Sequence, residues 1–238
     1  MSNIHQAGDT SPSLIELLDR ADRLPGATAL RARSYELLQL APGSAVVDVG
    51  CGAGRAAGEF QCMGHDALGI DSSQGMITTA MNRWPQARFR RGDACRLPLG
   101  DSEVAGYRAD KVFHELADPA RALQEARRVL APGGRIVLIG QDWDTIAVES
   151  DNPFVTRAIV HAQADAQPSP FAARRFRASL LDAGFTDVHL EIHTAALTDP
   201  ATLPMVLSFA GHARGPLFLT LFRADLVEPI TAETEPEG

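Results

Sequence analysis

The sequence predicts an α/β protein built on one mostly parallel β-sheet with helices on both faces. Short apolar runs of strand length alternate along the chain with longer segments of helical periodicity, and residues 45–49 and 135–140 are two such runs. Glycines stop the first run, which is typical of a buried parallel strand. Because neighbouring parallel strands need a crossover connection, this alternation predicts helices on both faces of the sheet.

Two helices are predicted before the first strand. Residues 12–24 have apolar side chains at helical spacing, and Ser11 precedes a proline, as an N-cap precedes a proline at the first helical position. A second helix is predicted over 27–40, where Ala-Pro-Gly at 41–43 ends it. We expect residues 1–43 to form an N-terminal helical cap that covers the functional site.

The alternation of strands and helices continues over 44–230, which we predict to be one domain. After the first strand, further strands are predicted at 67–70, 87–90, 104–109, 135–140, 187–194 and 216–223. The helices between them are predicted to end near residue 63 and to cover 73–84, 119–130 and 170–183, with Gly184 as the last C-cap. The segment 231–238, rich in Glu, Thr and Pro, is predicted to be disordered.

Residues 144–170 interrupt this alternation. The segment contains three prolines and has weak periodicity. Since binding segments are commonly carried between the elements of a rigid sheet, we expect it to be an insertion that covers a substrate. The basic residues Arg174, Arg175 and Arg177 follow it and are interpreted as the solvated face of a helix.

Composition and charge limit the classes of partner. The 238 residues fit one large domain, with 45% hydrophobic and 22% charged residues. A formal net charge of -8 disfavours a nucleic-acid partner, because phosphate binding needs a basic surface. No run approaches the roughly 18–20 apolar residues that cross a bilayer, and the polar start lacks the order of a signal peptide. We therefore expect a cytoplasmic protein without a nucleic-acid or membrane partner, and leave a homodimer open.

The three cysteines do not predict a metal site. Cys51, Cys62 and Cys95 form no Cys-x-x-Cys pair, and an odd number cannot pair fully within one chain. Cys62 and His65 have ligand-like spacing, but no second pair completes a tetrahedral site. Reduced thiols and no bound metal are the expectation.

The segment 46–54, Val-Val-Asp-Val-Gly-Cys-Gly-Ala-Gly, carries the strongest functional signal. A predicted strand runs into three glycines, which let the backbone turn sharply and approach a ligand at the carboxyl end of the strand. Their spacing is Gly-x-Gly-x-Gly, whereas dinucleotide-binding folds have Gly-x-Gly-x-x-Gly. Asp48 stands two residues before the glycines, where it would repel a diphosphate but not an ammonium group.

Two more carboxylates are predicted at the ends of the next two strands. Asp71 follows the second strand and can accept hydrogen bonds from both hydroxyls of a ribose. Asp93 follows the third strand and can accept one from an adenine amino group, a second acidic contact that a dehydrogenase does not require. The pattern indicates a nucleoside ligand that carries an ammonium group rather than a diphosphate.

With these residues the sequence resembles the class I S-adenosylmethionine-dependent methyltransferases, in particular the branch of the ubiquinone and menaquinone C-methyltransferases and many natural-product enzymes. The matching segments are VVDVGCGAG at 46–54, GIDSS at 69–73, RGDACRLPL at 91–99 and RALQEARRVLAPGGRIVLI at 121–139. The resemblance covers about 44–140. It implies a Rossmann-like sheet of seven strands, mostly parallel, whose last strand, at 216–223, is antiparallel.

The resemblance also implies the cofactor S-adenosyl-L-methionine and the residues that hold it. The glycine loop would cradle the methionine part, Asp71 would bind the ribose, and Asp93 would lie beside the adenine. The expected cofactor-binding residues are Asp48, Gly50, Cys51, Gly52, Gly54, Asp71, Ser72, Met76, Asp93 and Ala94.

The segment after the fourth predicted strand is where this family brings the acceptor to the methyl group, and we predict the catalytic residues there. His114 can take a proton from a hydroxyl or an acidic carbon, because the pKa of an unperturbed imidazole is about 6.5. Arg108 can hold a substrate oxyanion or the cofactor carboxylate, and Asp110 is the next candidate for the base. The structural alternatives are that His114 packs beside the next helix and that Arg108 forms an exposed ion pair with Asp110.

Three aromatic residues are expected to line the acceptor pocket, namely Tyr107, Trp143 and Tyr35. Trp143 follows the fifth strand, and its ring face also suits a sulfonium cation, although a core position is the alternative. Tyr35 can close the pocket from the N-terminal helices, or lie on a solvated helix face.

Together these features predict methyl transfer to a small molecule, by O- or C-methylation of a phenolic, quinone-like or polyketide-type compound. The sequence lacks the Asn-Pro-Pro-[Tyr/Phe] motif of relatives that methylate the exocyclic amines of bases. The alternative is a cofactor-binding scaffold or cyclisation catalyst without transferase activity. A nicotinamide-dependent oxidoreductase is less favoured, because the Tyr-x-x-x-Lys spacing of Tyr107 and Lys111 falls at the end of a predicted strand rather than within a long helix.

Overall fold

The computed structural model of the chain describes residues 14–197 and 217–225. The predicted N-cap Ser11 and the predicted disordered tail, 231–238, lie outside the described residues. Within them the helices are α1 (Leu14–Asp22), α2 (Pro25–Leu38), α3 (Arg55–Cys62), α4 (Gln74–Arg83), α5 (Pro119–Val129), α6 (Pro153–Asp165) and α7 (Ala172–Asp182). The strands are β1 (Ala45–Val49), β2 (Asp66–Asp71), β3 (Arg88–Arg91), β4 (Val104–Asp110), β5 (Leu130–Gln141), β6 (Ala147–Val148), β7 (His189–Leu197) and β8 (Leu217–Asp225). Single 3-10 turns cover Phe113–Glu115 and Trp143–Thr145.

The strands form one sheet, with β3, β2, β1, β4 and β5 side by side and parallel. β8 runs antiparallel to β5 and pairs on its other side with β7. The described part of this sheet has eight strands rather than the seven predicted, because β6 pairs with the start of β8. The chain places β2 and then β3 on one side of β1, and β4 and then β5 on the other side. β1 and β4 therefore flank the switch point, which is where open α/β sheets bind ligands.

The two faces of the sheet are covered by different helices. Side chains alternate between the faces of a strand. Val47 and Val49 of β1 therefore pack in the larger apolar cluster, which includes buried residues of α5 and α7. Val46 packs on the opposite face in a cluster with residues of α2 and α3. The predicted helices on both faces are confirmed.

The insertion predicted at 144–170 has more structure than its weak periodicity indicated. It contains β6 and α6, and Asn152 caps α6 by accepting a hydrogen bond from a backbone amide of its first turn (3.2 Å). After the helix, the backbone amide of Ser169 donates to the carbonyl of His114 (2.9 Å), and its hydroxyl donates to the carbonyl of Leu116 (2.8 Å). The insertion is thus tied to the segment that follows β4.

Candidate active site

The glycine loop after β1 has a backbone that only glycine adopts without strain. Gly50, Gly52 and Gly54 have φ values of 68°, 52° and 85°. A Cβ on Gly50 would lie 2.2 Å from Val112, and one on Gly54 would lie 2.7 Å from both Ala80 and Phe89. A Cβ on Gly52 would meet nothing within 4 Å, so the loop is close-packed at both ends and bare in the middle.

Asp71, at the end of β2, joins this loop to the start of α4. Its Oδ2 accepts from the backbone amide of Gly52 (2.9 Å) and its Oδ1 accepts from that of Ser73 (2.8 Å). Each carboxylate oxygen has a second lone pair, so both can still accept from a diol. The two amides fix the carboxylate at the edge of the sheet, where it remains partly exposed.

The other residues predicted to contact the cofactor follow β2 and β3 at the same edge. Met76 lies in the first turn of α4 and is partly buried, while Ser72 is exposed and its carbonyl accepts from Arg91 Nε (3.0 Å). Asp93 is exposed, and its Oδ1 accepts from the amide of Cys95 (2.8 Å), which makes a turn that leaves Ala94 buried. The structure therefore brings these residues and the glycine loop to one end of the parallel strands.

Arg108 forms a buried network that the sequence did not predict. It is 3% exposed, and its Nη1 and Nη2 donate to Asp48 and Asp110, both over 2.8 Å. Its Nε donates to Ser34 Oγ of α2 (2.9 Å). All three nitrogens are therefore engaged within the protein. Arg108 is therefore not free to hold a substrate oxyanion or the cofactor carboxylate. Its predicted alternative, an ion pair with Asp110, is confirmed, but Arg108 is buried in that pair rather than exposed.

The same network changes the roles of the two aspartates. Burial opposes ionisation of Asp110, but the charges of Lys111 and Arg108 lower its pKa overall, so Asp110 is a poor base. Its prediction as the next candidate base is corrected accordingly. Burial raises the pKa of Asp48 against the opposing charge of Arg108. A cofactor ammonium group near Asp48 would meet a carboxylate already paired with a cation.

The two tyrosines are structural in the described conformation. Tyr107 lies in the core with 0% exposure, because it points to the opposite face of β4 from Arg108. Its prediction as a pocket residue is therefore wrong, and so buried a phenol cannot serve a hydride-transfer pair with Lys111. Tyr35 donates to Glu59 Oε2 (2.7 Å), and its ring packs on Phe60 with centroids 4.4 Å apart. Tyr35 thus joins α2 to α3, and its hydroxyl is already bonded.

His114 lies in the 3-10 turn directly after β4, and its side chain is 7% exposed. Its ring meets the ring of Trp143 at an angle of 61°, with centroids 5.2 Å apart. Burial, and then the charge of Lys111, lower the pKa of His114 to about 4, although Asp110 opposes this. The expected pKa near 6.5 is therefore corrected downward, and the imidazole is neutral at physiological pH.

Two acidic groups near this edge were not predicted. Glu115 follows His114, and its carboxylate Oε1 lies 3.8 Å from His114 Nε2. Asp142, directly after β5, is 1% exposed and binds Arg174 Nη2 through its Oδ1 (2.6 Å). Arg174, Arg175 and Arg177 are all exposed, which confirms the predicted solvated helix face, although Arg174 also reaches back to Asp142. The sequence could have indicated Asp142, because it closely follows a predicted strand. It could not have indicated the partner of Asp142, which is 32 positions away in the chain.

Among the described residues, no group of three or more His, Cys, Asp or Glu side chains is arranged to hold a metal ion. None of the helices in the same part of the chain is long and apolar enough to cross a membrane.

Comparison with known proteins agrees with this geometry. Residues 47–138, which run from β1 into β5, match the methyltransferase domain family. Over this stretch the chain is similar to S-adenosylmethionine-dependent methyltransferases. It is 33% identical over 97 residues to the demethylmenaquinone methyltransferase of Renibacterium salmoninarum, a match that covers 41% of each protein. It is also 32% identical over 203 residues to a 37.1 kDa protein in transposon TN4556 of Streptomyces fradiae, covering 82% of this chain and 59% of that protein.

The chain therefore spans about three fifths or less of the length of these curated relatives. Among solved structures, the YcgJ protein of Bacillus subtilis superposes with a TM-score of 0.65 and 14% identity, over 85% of this chain and 99% of that one. At that identity the likeness concerns the fold, and it confirms the α/β Rossmann-like methyltransferase architecture.

S-adenosylmethionine, the cofactor of this methyltransferase family, fits the edge of the sheet described above. The space beside Gly52 is open to a ligand, and the Asp71 carboxylate is already held by two backbone amides with lone pairs to spare. Such a preset acceptor suits a ribose diol, because no side-chain freedom has to be lost on binding. The exposed Asp93 follows β3, the strand next to β2, at the same edge of the sheet.

Proposed function

We propose that this methyltransferase transfers the methyl group of S-adenosylmethionine to a small molecule, at a hydroxyl or an acidic carbon of a phenolic, quinone-like or polyketide-type compound. One observation carries the proposal. Asp71 and the glycine loop lie at the carboxyl ends of β1 and β2, and His114 and Trp143 follow β4 and β5 at the same edge. Cofactor groups and acceptor groups therefore meet across the switch point of the sheet.

The cofactor would be held by Asp48, Gly50, Cys51, Gly52, Gly54, Asp71, Ser72, Met76, Asp93 and Ala94. When bound, its sulfonium supplies the methyl group and keeps the electron pair of the broken C–S bond. The protein's main contribution is then geometry, since the acceptor atom must lie about 3 Å from the methyl carbon and in line with that bond.

On the acceptor side, the neutral imidazole of His114 would accept the proton that the acceptor loses. Trp143 would form one wall of the pocket. The insertion at 144–170 would cover the acceptor, a role supported by the two hydrogen bonds of Ser169 to the segment that carries His114. Arg108 would act at a distance, by holding Asp48 and Asp110 between β1, β4 and α2.

The reaction is tested by a mass-spectrometric screen with isotope-labelled S-adenosylmethionine. The acceptors are simple phenols, quinols, 1,3-dicarbonyl compounds and alkylamines, each incubated with the protein and with heat-inactivated protein. We expect labelled methyl groups on members of the first three classes. Labelling of alkylamines alone would contradict the acceptor class. Cofactor binding without transfer to any class would favour the scaffold or cyclisation catalyst.

A further inference from the structure

Two buried nitrogen atoms on the acceptor side have no hydrogen-bond partner among the described residues. They are Nδ1 of His114, a residue 6% exposed, and Nε1 of Trp143. Leaving such an atom buried and unsatisfied is destabilising, because the loss of its hydration is not compensated. Both belong to rings whose centroids are 5.2 Å apart at the carboxyl edge of the sheet. Each such atom in a native protein calls for a ligand or water that satisfies it, and these two belong to rings that touch each other.

Glu115 indicates which nitrogen of His114 carries the proton. In a neutral imidazole one nitrogen is a donor and the other an acceptor. The Glu115 carboxylate lies 3.8 Å from Nε2, and a negative charge there favours the form protonated at Nε2. Nδ1 is then an acceptor, while the indole Nε1–H of Trp143 can only donate. The two unsatisfied atoms are therefore one acceptor and one donor.

A hydroxyl group complements this pair, because its oxygen accepts one hydrogen bond and its O–H donates another. An ether or ketone oxygen can only accept. An alkylamine is mostly protonated at physiological pH, since its pKa is about 10, and a protonated amine can only donate. We propose that His114 Nδ1 and Trp143 Nε1 hold the hydroxyl of the methyl acceptor, which makes the protein an O-methyltransferase of neutral hydroxyl compounds with Glu115 as a positioning residue. This inference rests on the proposed function and narrows it from hydroxyl or carbon to hydroxyl.

Methyl transfer turns the hydroxyl oxygen into an ether oxygen and releases its proton. An oxygen lone pair forms the new bond to the methyl carbon, and the O–H bond breaks with its electrons remaining on oxygen. The proton passes to His114 Nδ1, and the electron pair of the broken C–S bond stays on sulfur. The resulting imidazolium has its Nε2–H toward Glu115, whose side chain is 72% exposed, so the proton can leave to solvent on that side. Trp143 stabilises the oxygen by donating to it throughout.

The tautomer and the ligand preference are tested by nitrogen-15 NMR of the full chain labelled at histidine and tryptophan, with S-adenosylhomocysteine bound. His114→Gln identifies the His114 signals, and Trp84→Phe identifies those of Trp143. We expect His114 to be protonated at Nε2. Addition of phenol should shift both His114 Nδ1 and the Trp143 N–H, whereas anisole, which cannot donate, should leave Nδ1 unchanged.

Two variants make the test specific. Trp143→Phe keeps an aromatic ring but removes the donor, and it should weaken the binding of both phenol and anisole, whose oxygens can each accept from Trp143, roughly tenfold, while changing the binding of toluene, which has no oxygen, less. Glu115→Gln should populate the other tautomer, whereas Glu149→Gln, at an exposed site in the insertion, should not. The inference would be overturned if His114 were protonated at Nδ1, or if phenol and anisole shifted the His114 Nδ1 signal equally. Failure of S-adenosylhomocysteine to bind in these samples would overturn the proposed function itself.

Discussion

In the proposed reaction, His114 is the residue on which the chemistry of the acceptor side depends. It is enclosed by Trp143 on one side and anchored through its own carbonyl by the amide of Ser169 (2.9 Å). Burial makes its protonated form expensive, and the nearby charge of Lys111 adds to that cost. A weak base of this kind accepts a proton only as the oxygen or carbon forms its new bond, and it stays available over the whole physiological pH range.

We predict the pH dependence of the reaction from this pKa. The active form of the base is neutral, so activity is present above the folded-state pKa and is lost as pH falls through about 4 rather than about 6.5. His114→Ala should lower kcat by roughly 10²–10⁴-fold and leave cofactor affinity unchanged, while His189→Ala, at an exposed site on β7, serves as the control. Rates of transfer to an acceptor found in the screen, measured across pH, check both. A loss of activity as pH falls through about 6.5 would contradict the prediction and show that the imidazole is exposed to water.

At this scale the sequence identified Asp71 and His114 correctly as edge residues, because each follows a strand of the predicted sheet. It failed for Arg108, whose partner Asp48 is 60 positions away in the chain. It failed for Tyr107 because alternation along β4 does not reveal which face an aromatic ring occupies when both faces are covered. A single sequence shows neither which distant residues pair in the fold nor which face of a strand a side chain occupies.

Between elements, the buried group of Ser34, Asp48, Arg108 and Asp110 joins α2 to β1 and β4. Its members come from three elements, and the guanidinium is the one cation among them. A buried ion pair adds little stability compared with an apolar pair, but removing one partner leaves the other charge buried and uncompensated. The network therefore fixes α2 against the sheet more than it stabilises the fold.

We predict that Arg108→Met destabilises the protein by about 3–5 kcal/mol, because Asp48 is left buried without its cation. Adding Asp48→Asn should restore part of this loss. Arg33→Met is the matched control, since the Arg33–Glu191 bridge is partly exposed (43% and 33%) and its loss should destabilise the protein far less than the loss of Arg108. Urea denaturation of the three variants measures the differences. Equal losses for Arg108→Met and Arg33→Met would argue against a buried network.

The elements themselves were largely predictable, and the exceptions have physical causes. Strong alternation between apolar runs and helical segments located β1 to β5 and α2 to α5 within a few residues. α6 was missed because the prolines around it hide its periodicity, although Asn152-Pro153 is a helix-start signal. β6 was missed because its two residues are too short to leave a pattern and depend on pairing with β8.

For the whole molecule, the sheet explains why distant parts of the chain form one site. Parallel strands end at one edge, so residues from 48 to 143 converge there although they are spread over five strand–loop junctions. The family match, at 47–138, covers this same stretch. The cofactor half of the site was predictable for that reason. The acceptor half depends on the insertion and on contacts between side chains from different strands. It was less predictable, because these features differ among proteins that share the fold.

Isothermal titration calorimetry with S-adenosylhomocysteine, NAD and NADP tests the central claim most directly, that Asp71 and the glycine loop form a site for S-adenosylmethionine. The account predicts binding of S-adenosylhomocysteine with no comparable affinity for either nicotinamide cofactor. Asp71→Ala should weaken the binding by about 1–3 kcal/mol, through lost hydrogen bonds to a charged acceptor, while the exposed Asp182→Ala should not. Tight nicotinamide binding, or an affinity for S-adenosylhomocysteine that Asp71→Ala leaves unchanged, would contradict it.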